Sequence, residues 1–202
     1  CDPGGQEIFP AVFSAINEGW DPRKIHTIFS SHQDRDVISS LALWLEFNPS
    51  IRCHTSWLWC SFIPHFGGDE GTFLPIADEG AIIRLGSRQL EAIPAHFLHS
   101  SGNFHLFDRD AGILFTGDVG AALLPADAPL FVEDFSKHIA SAEGFHRRWM
   151  GSPAAKNDWC SRARSLAPKM LCPQHGSIYR GDDVMRFIDW FESLEVGVLK
   201  KK

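Results

Sequence analysis

The spacing of apolar residues switches repeatedly between the helical and the extended period along this chain. Residues 10–18 have helical spacing, stopped by Gly19 and the Asp21-Pro22 turn. Residues 25–29 form a short β-prone run that predicts a buried strand leading into Ser30-Ser31-His32. Helical spacing resumes over 37–47, with Asp36 near its start and Asn48-Pro49 as its stop. Residues 51–55 predict a short strand, and 57–66 are apolar and fit either period. Gly67-Gly68-Asp69-Glu70-Gly71 predicts a mobile loop and a candidate lid. The middle is β-rich: 81–85, 89–94, 104–107 and 112–115 read as short strands, with Asp108-Arg109-Asp110-Ala111-Gly112 as a hairpin-type connection. Helices follow over 132–150 and 154–166, the second with Ser152 as N-cap and Pro153 in its first turn. Residues 169–172 predict a strand ending in Pro173-Gln174-His175-Gly176, and 182–194 predict a closing amphipathic helix. This alternation is that of an α/β fold, in which loops at the carboxyl edge of a sheet carry the binding residues. No linker interrupts it, so residues 1–202 are expected to be one domain.

Composition narrows the classes. A length of 202 residues with 44% hydrophobic content suits one large core. A net charge of −6 argues against a nucleic-acid footprint, and Lys200-Lys201-Lys202 is expected to be a solvated end. No run of eighteen apolar residues predicts a membrane span, and no charged-then-apolar leader is visible. Cys1, Cys53, Cys60, Cys160 and Cys172 contain no Cys-x-x-Cys pair and point to a reduced, cytoplasmic setting. Cys172, on a predicted strand, is expected to be buried filler. The chain opens on Cys1 without Met. Its Asp2-Pro3-Gly4-Gly5 turn is expected to follow a strand lying before it, so the first N-terminal strands of the sheet are expected to be missing.

Five segments at predicted strand ends concentrate metal-ligand residue types. They are Asp2-Pro3-Gly4-Gly5, Ser31-His32-Gln33-Asp34-Arg35-Asp36, His96-Phe97-Leu98-His99, Thr116-Gly117-Asp118 and Gln174-His175-Gly176. In an extended segment His32, Asp34 and Asp36 fall on one side, whereas a helix would turn each about 200° from the last. His99, Asp118 and His175 arrive from three other strand ends. A carboxylate such as Asp118 can bridge two ions through its two oxygens. Carboxylate with imidazole suits iron, manganese or zinc. His96, three residues before His99, would face the opposite way along a strand and is expected to support the ligands from behind. His146, on the long predicted helix, is a second such residue or a surface one. His26, His54, His65, His105 and His138 read as ordinary, and Trp57, Trp59 and Phe62 read as core.

Through these residues the chain resembles the metallo-β-lactamase superfamily, from Asp2-Pro3-Gly4-Gly5 to Pro173-Gln174-His175-Gly176. It is most similar to the diiron branch, the flavodiiron proteins and the flavin-free oxygen-binding diiron proteins. Hydrolytic members carry His-x-His-x-Asp-His, and the diiron branch carries His-x-Glu-x-Asp-His. Asp34 puts a carboxylate at the third place, one methylene shorter than Glu, so this chain sides with the diiron branch. Residues 94–103 and 144–150 also resemble the flavin-free members. The resemblance implies an αββα sandwich holding two iron ions, with manganese or zinc as alternatives. It implies that His32, Asp34 and His99 hold iron one, that Asp36 and His175 hold iron two, and that Asp118 bridges. The last motif position, usually His, is Val37, which leaves iron two a ligand short. The implied function is dioxygen binding, as an oxygen sensor or as a dioxygen or nitric oxide reductase. No flavin module follows in this chain, so a reductase would be fed by a separate redox partner. A metal-dependent hydrolase using a metal-bound hydroxide and an interaction module with a degraded metal site are the alternatives. Implied partners are dioxygen, a redox or signalling protein and a second copy of the chain as a homodimer, not nucleic acid or membrane.

Overall fold

The computed structural model of the chain describes residues 1–62 and 67–198. His65, the end of the apolar 57–66 stretch and the lysine tail lie outside the described residues. The chain divides into two compact units, Cys1–Glu79 and Gly80–Lys202.

The first unit holds a parallel sheet in the order β1 (Thr27–Phe29), β2 (Arg52–Ser56), β3 (Phe73–Ile76). Ile28, Ile38, Leu41, Trp44, Ile51, Cys53 and Phe73 form its core. Helix α1 (Phe9–Gly19) adds Phe9 and Phe13, both packed on Trp44. Parallel strands need a crossover, and the one between β1 and β2 is two helices, α2 (Arg35–Ile38) and α3 (Leu41–Phe47), not the single helix predicted. The opening segment causes the break. Gly4 N–H donates to the Val37 carbonyl (2.9 Å), Ser40 N–H donates to the Gly4 carbonyl (3.0 Å), and Ser40 Oγ donates to the Pro3 carbonyl (2.6 Å). These bonds occupy backbone groups that a continuous helix would pair four residues apart. Strand β3 was not predicted, because Pro75 argues against a strand; β3 is an edge strand, where proline is tolerated. Just before β3, in the predicted loop 67–71, Asp69 and Thr72 form a capping box that orders a 3-10 turn, Glu70–Thr72. Trp57 and Phe62 are exposed rather than core, and the Trp57 indole donates to Asp78 at 2.7 Å. Trp59 is half-buried against the core.

The second unit is a six-stranded sheet in chain order: β4 (Ala81–Leu85), β5 (Arg88–Pro94), β6 (Phe104–Asp108), β7 (Ile113–Phe115), β8 (Met170–Cys172) and β9 (Tyr179–Arg180). All pairs are antiparallel except β7 with β8. The crossover that permits this parallel pair carries α4 (Phe135–Trp149) and α5 (Pro153–Leu166). Asp134 accepts from Lys137 N–H, so α4 starts at Phe135 rather than Val132; Val132 N–H donates instead to the Ile178 carbonyl (3.0 Å). Ser152 caps α5 through Ala155 N–H, as predicted. Helix α6 (Asp182–Ser193) buries Val184, Phe187, Ile188 and Phe191 in the core that includes Trp159, Leu171 and Tyr179. Among the described residues no helix is long and apolar enough to cross a membrane. All five cysteines are free; Cys172 is half-buried, and burial raises its thiol pKa.

Candidate metal centre

In the first unit, β1 ends in a buried polar turn. Ser30 N–H donates to the His54 carbonyl (2.8 Å), and Ser30 Oγ donates to the His32 carbonyl (2.9 Å). Ser31 N–H donates to the Asp2 carboxylate at 2.6 Å, and Ser31 Oγ lies 2.9 Å from His32 Nδ1. Burial pushes the Asp2 carboxyl above the usual carboxylate range, against the pull of the Ser31 amide. The contact on Nδ1 turns His32 Nε2 towards Asp34, whose Oδ2 is 3.8 Å away. Asp34 is extended; its carbonyl opens α2 while its side chain takes the Gln33 amide at 3.1 Å. Asp36 does not continue the extended alternation. It lies exposed in the first turn of α2, where the helix dipole favours a carboxylate. Val37, in the same helix, is fully buried.

In the second unit, His99 sits in a tight turn between β5 and β6, not on the expected strand. Ala95 N–H donates to the Asn103 carbonyl (3.0 Å), Leu98 N–H to Ala95 (3.1 Å) and Phe97 N–H to Ser100 (2.7 Å). The Leu98–His99 peptide is cis. His96 therefore does not oppose His99 across a strand: its ring packs edge-on against Phe104 at 5.0 Å. The His99 ring faces Trp149 (5.1 Å) and Phe145 (6.1 Å), which stack on each other.

Asp118 follows β7 and His175 follows β8, so the one parallel pairing brings their turns together. Thr116 N–H donates to the Cys172 carbonyl (3.0 Å), Gln174 N–H to Gly117 (2.7 Å) and Ala122 N–H to His175 (3.3 Å). Gly176 has φ 94°, and a Cβ there would lie 3.0 Å from the Ala122 nitrogen, so this approach needs glycine. One buried carboxylate thus stands between two imidazoles. His99 Nε2 is 3.0 Å from Asp118 Oδ2, and His175 Nε2 is 3.7 Å from Asp118 Oδ1. The His175 side chain is 43% exposed and marks the open side.

His146 is fully buried, which rules out the surface role. Its Nε2 accepts Gly120 N–H (2.9 Å) and its Nδ1 donates to the Ala142 carbonyl (2.9 Å). Burial pushes its pKa down to about 4, so the ring is neutral with its proton on Nδ1. Tyr179 Oη donates to the Gly120 carbonyl at 3.1 Å. Both backbone groups of Gly120, two residues beyond Asp118, are therefore gripped from behind. Sequence reading singled out the Asp2-Pro3-Gly4-Gly5 segment but not the bond from Ser31 N–H to Asp2, and it missed Tyr179, the chain's single tyrosine.

Imidazole and carboxylate without thiolate are a fitting donor set for iron, manganese or zinc. His32, His99 and His175 each turn Nε2 towards a carboxylate.

The model of the family described as ODP family beta lactamase matches residues 1–176. No curated protein matches the chain. Among solved structures it is similar to the peroxy diiron species of the chemotaxis sensor ODP, at 43% identity and a TM-score of 0.90, covering 97% of this chain and 81% of that one. It is also similar to the apo state of the chemotaxis sensor ODP from T. denticola, at 44% identity and a TM-score of 0.91, covering 97% and 80%. The flavodiiron protein from Giardia intestinalis shares the fold at 19% identity and a TM-score of 0.86, over 95% of this chain and 47% of that one. The α/β metallo-β-lactamase-like fold expected from the sequence is the fold observed, and the chain belongs to the ODP family, in the diiron branch of that fold.

Proposed function

We propose that this chain is a non-haem diiron, dioxygen-binding domain that acts as an oxygen sensor. Asp118 carries the reading: a buried carboxylate with one histidine near each oxygen could bridge two ions. In this reading His32, Asp34 and His99 hold one iron, Asp36 and His175 hold the second, and residues 1–202 work as a single domain. When bound, a diferrous pair supplies the electrons and open coordination positions that dioxygen capture requires. The chain supplies the rest. Phe145 and Trp149 cover the His99 ring and keep water from it. His146 and Tyr179 fix Gly120 and so set the Asp118 turn. Val37 offers no donor, so the Asp36–His175 side would hold its ion more weakly. Sensing is supported by the two ODP relatives, both chemotaxis sensors. It requires a signalling protein that reads the bound state, whereas turnover as a dioxygen or nitric oxide reductase requires a separate electron donor. The free cysteines support a reducing, cytoplasmic setting.

Metal analysis and absorption spectra on one sample, taken first without and then with air, test the reading. Iron-loaded parent protein should gain near-ultraviolet absorption on exposure to air, and Asp118→Ala should not. A protein that retains only zinc and stays spectrally silent would overturn it.

A further inference from the structure

We propose that the outer face of α4 is the surface on which a signalling protein docks, and that the docked segment is an amphipathic helix carrying carboxylates. The proposal rests on the reading of the chain as an oxygen sensor. A groove of about 840 Å³ runs along α4 from Ala140 to Trp149. At 1.5 Å per residue that is roughly 14 Å, room for two to three turns of a partner helix. Its walls include Leu123, Phe145, Trp149 and Val198. Leu123 is 81% exposed and Trp149 54%, so apolar surface stands in water here for a partner to cover. Gly144 lies at the middle of the groove. Glycine inside a helix costs stability, and nothing in this fold calls for it, because a Cβ there would meet no atom within 4 Å. What it provides is an open floor on which a second backbone can approach closely.

Charge selects the partner. The groove is lined by two arginines and no carboxylate, in a chain of net charge −6. Arg147 is paired with Glu143 (2.7 Å) and Glu195 (3.8 Å). Arg148 is exposed and pairs with no carboxylate among the described residues. Lys200-Lys201-Lys202 follow one residue after Val198, so covalent reach alone keeps their charge near this end of the groove. In a two-fold dimer through this face the positive patch would meet its own copy, so it fits a partner of opposite charge. The groove is also joined to the centre. Phe145 and Trp149, which line it, face the His99 ring at 6.1 and 5.1 Å. His146, on the same helix, accepts Gly120 N–H at 2.9 Å, two residues beyond Asp118. A shift of either segment therefore reaches the groove through α4.

The test is selection on the iron-loaded protein of a random library of peptides of about twelve residues, long enough to span the groove. Fluorescence anisotropy then measures the affinity of the enriched peptides. They should carry apolar residues three and four apart together with aspartate or glutamate. Gly144→Gln fills the floor and Arg148→Glu reverses the charge, and each should weaken binding about tenfold or more, the loss expected of an interface anchor. Gly144→Gln should also raise the Tm of the metal-free protein by about 2 °C, so that lost binding is not lost folding, and its absorption change in air should match the parent's. No enrichment, enriched peptides without that pattern, parent-like affinity in either variant, or a dimer that Gly144→Gln splits into monomers overturns the docking surface. Reciprocity requires the peptides to bind the anaerobic and the air-exposed iron-loaded forms with different affinity. Groove-specific binding that is equal in both forms sinks the sensor reading instead and leaves the docking surface standing.

Discussion

A neutral histidine sealed among aromatic rings makes stability depend on pH. His146 packs against Phe145, Phe187, Trp190 and Phe191, and burial lowers its pKa to about 4. In the unfolded chain a histidine titrates near 6.5. Its contribution is fully present above pH 6.5 and is lost as pH falls from 6.5 towards 4, where only the unfolded chain takes up the proton. The loss is at most roughly 3 kcal/mol. Burial lowers the pKa of His138 and His54 as well, so they act in the same direction. Urea midpoints of the metal-free protein should fall between pH 7.5 and 4.5, and His146→Gln, which retains an acceptor for Gly120, should flatten that fall. An unchanged slope in the variant would sink the assignment. Residue type and predicted strand-end position singled out the candidate ligands. The groups behind them were not legible. Asp2 bonds Ser31 from 29 residues away and Tyr179 bonds Gly120 from 59, and each acts on backbone, which carries no sequence signature.

The elements read from apolar spacing survive wherever a run has its own caps, as α5 does with Ser152. They fail where another segment intrudes. Nothing in residues 37–47 announces the break at Ser39-Ser40, because it is made by Pro3 and Gly4. Ser40→Ala deletes the bond to the Pro3 carbonyl, and the Trp44 indole, 3.4 Å from the same oxygen, offsets part of the loss. The expected cost is about 1 kcal/mol in denaturant unfolding. Gly4→Ala should cost more: Gly4 has φ 85°, and a Cβ would stand 3.0 Å from Ile8 Cδ1. Equal midpoints for both variants and the parent would mean that this insertion contributes nothing to folding. Strand β9 escaped prediction for a different reason, since two residues carry no period. The His99 turn escaped because no Gly or Pro lies between His96 and His99 to announce it, while its backbone bonds close it locally.

His99, Asp118 and His175 come together only in the folded chain, so metal binding there would be linked to folding. An ion that binds only the native state adds about 2.7 kcal/mol at a hundredfold excess over its dissociation constant. For a chain of this size that corresponds to a rise in Tm of roughly 5–10 °C. Anaerobic iron(II) should produce such a rise, EDTA should reverse it, and Asp118→Ala should lose most of it. The net charge of −6 supplies a competing cause, because an acidic surface attracts any divalent cation. Salt separates the two. Attraction to exposed carboxylates is screened over about 8 Å at physiological ionic strength, while coordination by a buried carboxylate such as Asp118 would not be. A Tm rise that survives 0.3 M potassium chloride, about twice that ionic strength, and disappears in Asp118→Ala therefore identifies coordination. A rise that salt abolishes in the parent, or that Asp118→Ala retains in full, assigns the effect to surface charge and removes Asp118 from the centre.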